Sequence, residues 1–286
     1  MKRILIIGCG LLGTSIALAL VGRKTKYVLY GADIRPDYAA LAMKTNAFRQ
    51  VYDARKLPDT HFDVVILAVP VRAACNYIPQ ALELGSVVFD ICSVKTSICD
   101  AARSSPHWER FAPTHPMAGS AVEGPAGADE KLFQGRPWLY IKDWPAVEQI
   151  MPIIMDTGAI PIGIESKEAH DETMAIVSHS IHLISLAAMT AYGRRVKDSN
   201  LLIDALSGPA FQDITRLAAS PTGFWLETLM DNRGAVLAQL DKVSAVLDDF
   251  KSALVSKDEA RLAHLLQEAR DFHHEWRGGR DSWHLR

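Results

Sequence analysis

The chain has 286 residues, 49% of them hydrophobic, and a formal net charge of −2. That is material for one large domain or two ordinary ones with a sizeable core, and it excludes a strongly basic nucleic-acid or anionic-membrane surface. The four cysteines, Cys9, Cys75, Cys92 and Cys99, form no C-x-x-C pair, so they read as reduced thiols of a cytoplasmic protein rather than a disulfide framework.

In chain order, "RILIIG" (3–8) predicts a buried strand and "LLGTSIALAL" (11–20) a helix. Lys2-Arg3 ahead of this apolar run resembles an export signal, but Gly8, Gly10 and Gly13 inside it argue for a turn between strand and helix. "YVLYGAD" (27–33), "DVVILAVP" (63–70), "SVVFDIC" (86–92) and "PWLYI" (137–141) predict further strands, with "IPIGI" (160–164) as one more. Short Val/Ile runs alternating with helices predict βαβ units and a parallel sheet. Past residue 165 no comparable strand follows. Ser166 can cap a long helix running to about Tyr192, just before Gly193. Its most apolar stretch, Ile176 to Tyr192, is broken by His179 and His182, so no segment is expected to span a bilayer. Leu240, Val243, Leu247, Phe250 and Leu254 recur at spacings of 3 and 4. Ser256 to Glu259 reads as a capping box opening the last helix, and "RGGRDSWHLR" as a loose tail.

Gly8-Cys9-Gly10-Leu11-Leu12-Gly13 has the full context of a dinucleotide fingerprint. The glycines permit a tight turn and close approach of a pyrophosphate. The helix opening at Leu11, Leu12 and Gly13 presents free N–H groups to that anion. Asp33 ends the second strand, placed to bind the adenosine ribose hydroxyls. Its carboxylate repels a 2′-phosphate and favours NAD, while Arg35 could accept that phosphate and keeps NADP possible. Val69 and Pro70 end the next strand, where backbone lines a cofactor crevice. The fold class expected is therefore an α/β Rossmann-type dinucleotide-binding domain, residues 1–165, followed by an all-α helical domain, residues 166–286.

Other residues admit two readings each. Ser93 in "CSVKT" is a turn or cap serine, or meets His115 beside a nicotinamide. His115 is a backbone-bonded loop histidine or a proton acceptor. On the long helix, Asp171, Ala175, Ser178 and His182 share one face, with His179 beside it. Two histidines at i and i+3 are too few ligands for a metal, so none is expected. Arg216, in "GPAFQDITRLAAS", pairs with Asp213 or grips a substrate carboxylate.

The fingerprint, "SVKT" (93–96), "HPMAG" (115–119), "SHSIH" (178–182) and "FQDITR" (211–216) together resemble the prephenate/arogenate dehydrogenase family of tyrosine biosynthesis. The match runs from the first residues to about Trp276. The resemblance implies a helical C-terminal domain that forms a homodimer and an active site in the cleft between the domains. It implies that His115 bonds the C4 hydroxyl of a cyclohexadienol and that Ser93 orients that hydroxyl and the nicotinamide. Arg216 would bind the side-chain carboxylate, and His182, with His179 nearby, would line the substrate pocket. The implied reaction is NAD(P)-dependent: hydride leaves C4, the hydroxyl proton moves to an acceptor, and loss of the ring carboxylate as carbon dioxide aromatises the ring. Many members carry a proline where Ile181 stands and a basic residue where Gln212 stands. Alternatives are a 4-amino-4-deoxyprephenate dehydrogenase, a 3-hydroxyacid-type enzyme with a catalytic lysine in its helical domain, or a non-enzymatic NAD-binding sensor. Neither a chorismate mutase domain nor a regulatory domain is expected, nor a nucleic-acid or membrane partner.

Overall fold

A computed structural model describes residues 1–22, 26–120, 122–197 and 207–282. The chain divides into two compact units, Met1–Ala235 and Val236–Arg286.

In the first unit, β1 (Lys2–Ile7), β2 (Tyr27–Asp33), β3 (Gln50–Asp53), β4 (Phe62–Leu67), β5 (Gly85–Asp90) and β6 (Phe111–Ala112) form one parallel sheet. Its order is β3-β2-β1-β4-β5-β6. Ile4 to Ile7 and Val64 to Leu67 are fully buried, each aliphatic side chain contributing roughly 1.5–3 kcal/mol. Burial on both faces explains why these strands read as continuous apolar runs rather than as alternation. The helices α1 (Leu11–Val21), α2 (Pro36–Lys44), α3 (Val71–Leu84), α4 (Thr96–Arg103) and α5 (Val147–Asp156) connect or flank them. β3 was not expected from sequence: "QVYD" is an edge strand, half exposed, with no apolar run to announce it.

The strand order reverses between β1 and β4, which opens a crevice at their carboxyl ends. A second sheet sits beyond β6. In it β7 (Thr114–Pro116) runs antiparallel to β8 (Pro137–Ile141), which pairs parallel with β9 (Ile160–Ile164). So "PWLYI" and "IPIGI" are strands as expected, but of this second, mixed sheet. His115 is a strand residue opposite Leu139, not a loop histidine. Three residues of strand beside a proline are too short for a periodicity signal.

The helical remainder of the first unit begins with α6 (Lys167–Met174), a π-helical turn at Ala175–His179, and α7 (Ser180–Lys197). Ser166 caps it as expected, its Oγ accepting from the Ala169 amide at 3.1 Å. Gly193 does not stop the helix, since a helix glycine costs only about 1 kcal/mol relative to alanine and the helix continues to Lys197. Lys167–Val196 is long and apolar enough to cross a membrane, against the sequence expectation. Its His170, Asp171 and His179 are nevertheless buried and hydrogen-bonded within the unit, as in a core helix. α8 (Pro209–Thr215), a 3₁₀ turn at Arg216–Ala219 and α9 (Thr222–Asp231) follow, and α10 (Arg233–Ser256) opens before the unit ends.

The second unit holds the rest of α10 and α11 (Glu259–Ser282). The cap between them is Asp258, whose Oδ1 accepts from the Arg261 amide at 2.9 Å, while Ser256 Oγ turns back to donate to the Ser252 carbonyl. Lys257 at φ 53° lies between them, so the helix is capped at Asp258, two residues past the Ser256 expected to open a capping box, and no such box forms. The expected loose tail is helical through Ser282, and its last four residues lie outside the described residues. Of the apolar stripe on α10, Leu247 and Leu254 are each 62% exposed.

Candidate active site

The glycine loop after β1 shows what each glycine is for. Gly8 has φ +101°, and a Cβ there would meet the Ala68 carbonyl oxygen at 2.2 Å and Val69 Cγ1 at 2.8 Å. A Cβ on Gly13 would lie 1.9 Å from the Gly8 carbonyl oxygen. These two glycines let α1 and the end of β4 close on the turn. Gly10 differs: nothing stands within 4 Å of the position its Cβ would take. That open space lies at the N-terminus of α1, where the amides of Leu11, Leu12 and Gly13 have no intrahelical acceptor. The cradle fits a dinucleotide pyrophosphate. Pro70 sits at the N-cap of α3, across the crevice from the loop, with Val69 beside it.

Asp33 closes β2 with both carboxylate oxygens engaged. Oδ2 accepts from the Cys9 amide and Oδ1 from the Arg35 amide, each at 2.8 Å. The Arg35 guanidinium turns away to Asp37, with Nε 3.2 Å and Nη2 2.5 Å from its oxygens, and lies 3.7 Å over the Tyr38 ring. Asp37 thereby holds Arg35 above its usual range and is itself lowered by that bond.

The carboxyl end of β5 organises the chemistry. Asp90 is fully buried. Its Oδ2 accepts from the Cys92 amide at 2.9 Å and its Oδ1 from the Thr114 amide at 3.0 Å. One carboxylate thus fixes the residues immediately before Ser93 and before His115. Lys95, also fully buried, pairs with Asp90 and donates to the Thr114 carbonyl at 2.6 Å. Burial alone would lower its pKa, but Asp90 outweighs that and raises it. Removing either partner would strand a buried charge, at about 3–5 kcal/mol. Ser93 is half-buried, its Oγ 3.4 Å from Thr228 Oγ1 on α9.

α6 reaches this point from the helical part. His115 Nδ1 is 3.0 Å from His170 Nε2, and His170 Nδ1 is 2.8 Å from Asp171 Oδ1. Asp171 also accepts from the Lys95 amide (2.7 Å), the Thr96 amide (2.9 Å) and Thr96 Oγ1 (2.6 Å). It therefore caps α4 as well as holding His170. Burial opposes its charge, yet the donors from His170, Thr96 and the two amides hold it below the usual carboxylate range. Burial, then the neighbouring His170 ring, Lys95 and His179, keep His115 well below the ordinary histidine value. His115 is therefore neutral at pH 7, and among the described residues its Nε2 has no hydrogen-bond partner.

His179, at the end of the π-helical turn, and His182, at the start of α7, are both buried. His179 Nδ1 is 3.0 Å from Asn232 Nδ2, which also donates to the Asp171 carbonyl at 2.7 Å. Burial pushes the His179 pKa down to about 4. The His182 ring stacks on Trp225, centroids 3.6 Å apart, and its buried Nδ1 has no partner among the described residues. Arg216 is exposed after α8 and, among the described residues, forms no ion pair with Asp213 or any other acid. Ile181 and Gln212, the two departures from the resemblance, are exposed.

The structure thus ties His115 to a cluster that sequence reasoning missed: Asp90, Lys95, His170, and Asp171 in its hydrogen-bonding role. The available signals were an acid ending an apolar strand in "VVFD" and the adjacent "HD" pair at 170–171.

Two family models match the chain: "Prephenate dehydrogenase, nucleotide-binding domain" over residues 16–160, and "Prephenate dehydrogenase, dimerization domain" over 166–268. The cyclohexadienyl dehydrogenase of Zymomonas mobilis is 31% identical over 90% of this chain and 90% of its own length. The prephenate dehydrogenase of Bacillus subtilis is 27% identical over 94% of this chain and 74% of its own. The Aquifex aeolicus prephenate dehydrogenase solved with hydroxyphenyl propionate and NAD+ superposes with a TM-score of 0.85 at 25% identity, over 96% of this chain and 98% of that one.

Proposed function

Because the chain belongs to the prephenate dehydrogenase family, we propose that this oxidoreductase carries out the oxidative decarboxylation of prephenate or arogenate with NAD. The observation that carries the reading is His115: neutral, held at Nδ1 and without a partner at Nε2 among the described residues, directly after Thr114, which Asp90 holds at the carboxyl end of β5 in the sheet that bears the glycine cradle.

The roles follow from the chain's own groups. Gly8, Gly10 and Gly13 shape the cradle, and the Leu11, Leu12 and Gly13 amides face the pyrophosphate. Asp33, fixed by two amides, receives the ribose hydroxyls, with Val69 and Pro70 on the opposite wall. Arg35 is tied to Asp37 and so is not free to grip a 2′-phosphate, which supports NAD over NADP. A nicotinamide held there would supply the acceptor for the hydride that leaves C4. His115 accepts the C4 hydroxyl proton at Nε2, and Ser93 orients that hydroxyl. Arg216, with no acid partner among the described residues, receives the side-chain carboxylate as a planar fork. His182, its Nδ1 unsatisfied in a buried stack, lines the pocket, with His179 behind it tethered to Asn232. Release of the ring carboxylate aromatises the product and supplies the driving force.

The functional division is a dinucleotide-binding part, residues 1–165, and a helical part, residues 166–286, that forms a homodimer. The exposed Leu247 and Leu254 on α10 and Leu266, Phe272 and Trp276 on α11 support such an interface. Four free cysteines, three of them buried, suit a reducing cytoplasm. Steady-state assay with prephenate and arogenate, each with NAD and NADP, tests the reading. It expects NAD reduction with release of carbon dioxide. NAD binding without turnover of either substrate would instead mark a sensor.

A further inference from the structure

We propose that His170 is a positioning residue that sets the tautomer of His115, keeping the proton on Nδ1 and the lone pair on Nε2. This rests on His115 being the proton acceptor, and deepens that reading.

The argument follows hydrogen-bond chemistry along one line of atoms. Asp171 accepts from four donors, the Lys95 amide, the Thr96 amide, Thr96 Oγ1 and His170 Nδ1. An ionised carboxylate is acceptor-only, so the proton between Asp171 and His170 belongs to His170 Nδ1. A neutral imidazole carries one proton. His170 Nε2 therefore holds a lone pair, and the 3.0 Å bond to His115 must be donated by His115 Nδ1–H. That leaves His115 Nε2 as the acceptor. A histidine side chain without such a partner can instead carry its proton on Nε2, the form that cannot take a proton from a hydroxyl there.

The surroundings keep His170 in the neutral state this logic requires. Burial lowers its pKa despite the bond to Asp171. The charged and titratable groups around the pair are Lys95, neutralised by Asp90, and Asp171, satisfied by its four donors, with the neutral His179 ring beyond. A protonated His170 would donate from Nε2 and force His115 into the inactive form. Both anchors of the line are backbone-held: Asp171 caps α4, and Asp90 fixes Thr114, the residue before His115. The geometry is thus imposed by α6 on a strand of the other part of the unit.

Long-range ¹H–¹⁵N correlation spectra of ¹⁵N-histidine-labelled protein at pH 7.5, with His115 assigned by loss of its signals in His115→Asn, test this without substrate. The wild type should show His115 protonated at Nδ1. In His170→Leu the ring should move to the Nε2–H form and kcat should fall about 10- to 100-fold, as for a misplaced catalytic group, with KM and NAD affinity near wild type. In His170→Gln the amide can accept from His115 and donate to Asp171, so most of kcat and the Nδ1–H signature should return. A wild-type His115 protonated at Nε2, or a His170→Leu enzyme with wild-type kcat, overturns the proposal. Failure of the underlying reading is distinct: His115→Asn would keep its turnover whatever the spectra of the wild type show.

Discussion

Gly10, the N-cap of α1, and Gly13, in its first turn, stand three residues apart, and the structure assigns them opposite sensitivities. In Gly13→Ala the new Cβ would lie 1.9 Å from the Gly8 carbonyl oxygen and 3.2 Å from Ala68 Cβ. The first neighbour is backbone and cannot rotate aside. Overpacking of this kind costs typically 1–3 kcal/mol. At roughly 2–4 °C per kcal/mol for a protein of this size, the melting temperature should drop by about 2–12 °C. In Gly10→Ala the Cβ meets nothing within 4 Å, and the backbone at φ −73°, ψ −160° is open to alanine. Stability should stay within about 1 kcal/mol, the usual cost of a weaker N-cap. NAD affinity should nevertheless fall about 10- to 100-fold, because the methyl group keeps a pyrophosphate off the charge-assisted bonds of the α1 amides, worth about 1.5–3 kcal/mol. Differential scanning fluorimetry without ligand and calorimetric titration with NAD separate the two effects. Wild-type NAD affinity in Gly10→Ala would refute the assignment of this cradle, and wild-type melting of Gly13→Ala would refute the steric argument.

Three further outcomes follow from the same geometry. Arg216→Ala should raise substrate KM by roughly one to two orders of magnitude, with Arg216→Lys recovering only part. Its melting temperature should be unchanged because no ion pair with Asp213 is broken, and a normal KM would remove Arg216 from the site. Asp37→Ala should release Arg35 and improve the kcat/KM ratio for NADP over NAD several-fold in steady-state assays; an unmoved ratio would show that the Arg35–Asp37 pair does not set the preference. Stability should fall with acidification: between the unfolded histidine value near 6.5 and the folded His179 value of about 4, the unfolded chain binds a proton that the native state refuses. That difference corresponds to roughly 3 kcal/mol, fully present above pH 6.5 and lost towards pH 4. Urea midpoints at pH 7.5 and 4.5 measure it, and equal midpoints would contradict a buried neutral His179.

The architecture was legible wherever burial acts on a run of residues. β1, β4 and β5 announce themselves because both faces are covered, and the glycine loop because its spacing encodes both a turn and a ligand. β3 and β7 were not legible: four half-exposed edge residues and three residues ending in proline carry no period. Among the candidate site residues, His115, Ser93 and Arg216 stand out by residue type. Asp90, Lys95 and His170 do not, because their meaning lies in partners 5 to 55 positions away. The π-helical turn at Ala175–His179 was equally hidden, since nothing in the residue pattern marks it. The cap at Asp258 was misread by two residues because "SKDE" satisfies the box pattern while the backbone at Lys257 turns left-handed.

The measurement closest to the central claim is single-turnover and steady-state oxidation of prephenate and arogenate by the wild type and by His115→Asn, with NAD affinity measured on the same preparations. The account predicts that the wild type turns over at least one of the two, with a rate that falls only at pH values below the ordinary histidine range, since burial lowers His115. It predicts that His115→Asn binds NAD normally and loses about 10²–10⁴-fold in kcat, the span of general base catalysis. A His115→Asn enzyme that keeps most of its turnover, or a wild type that oxidises neither substrate, would contradict it.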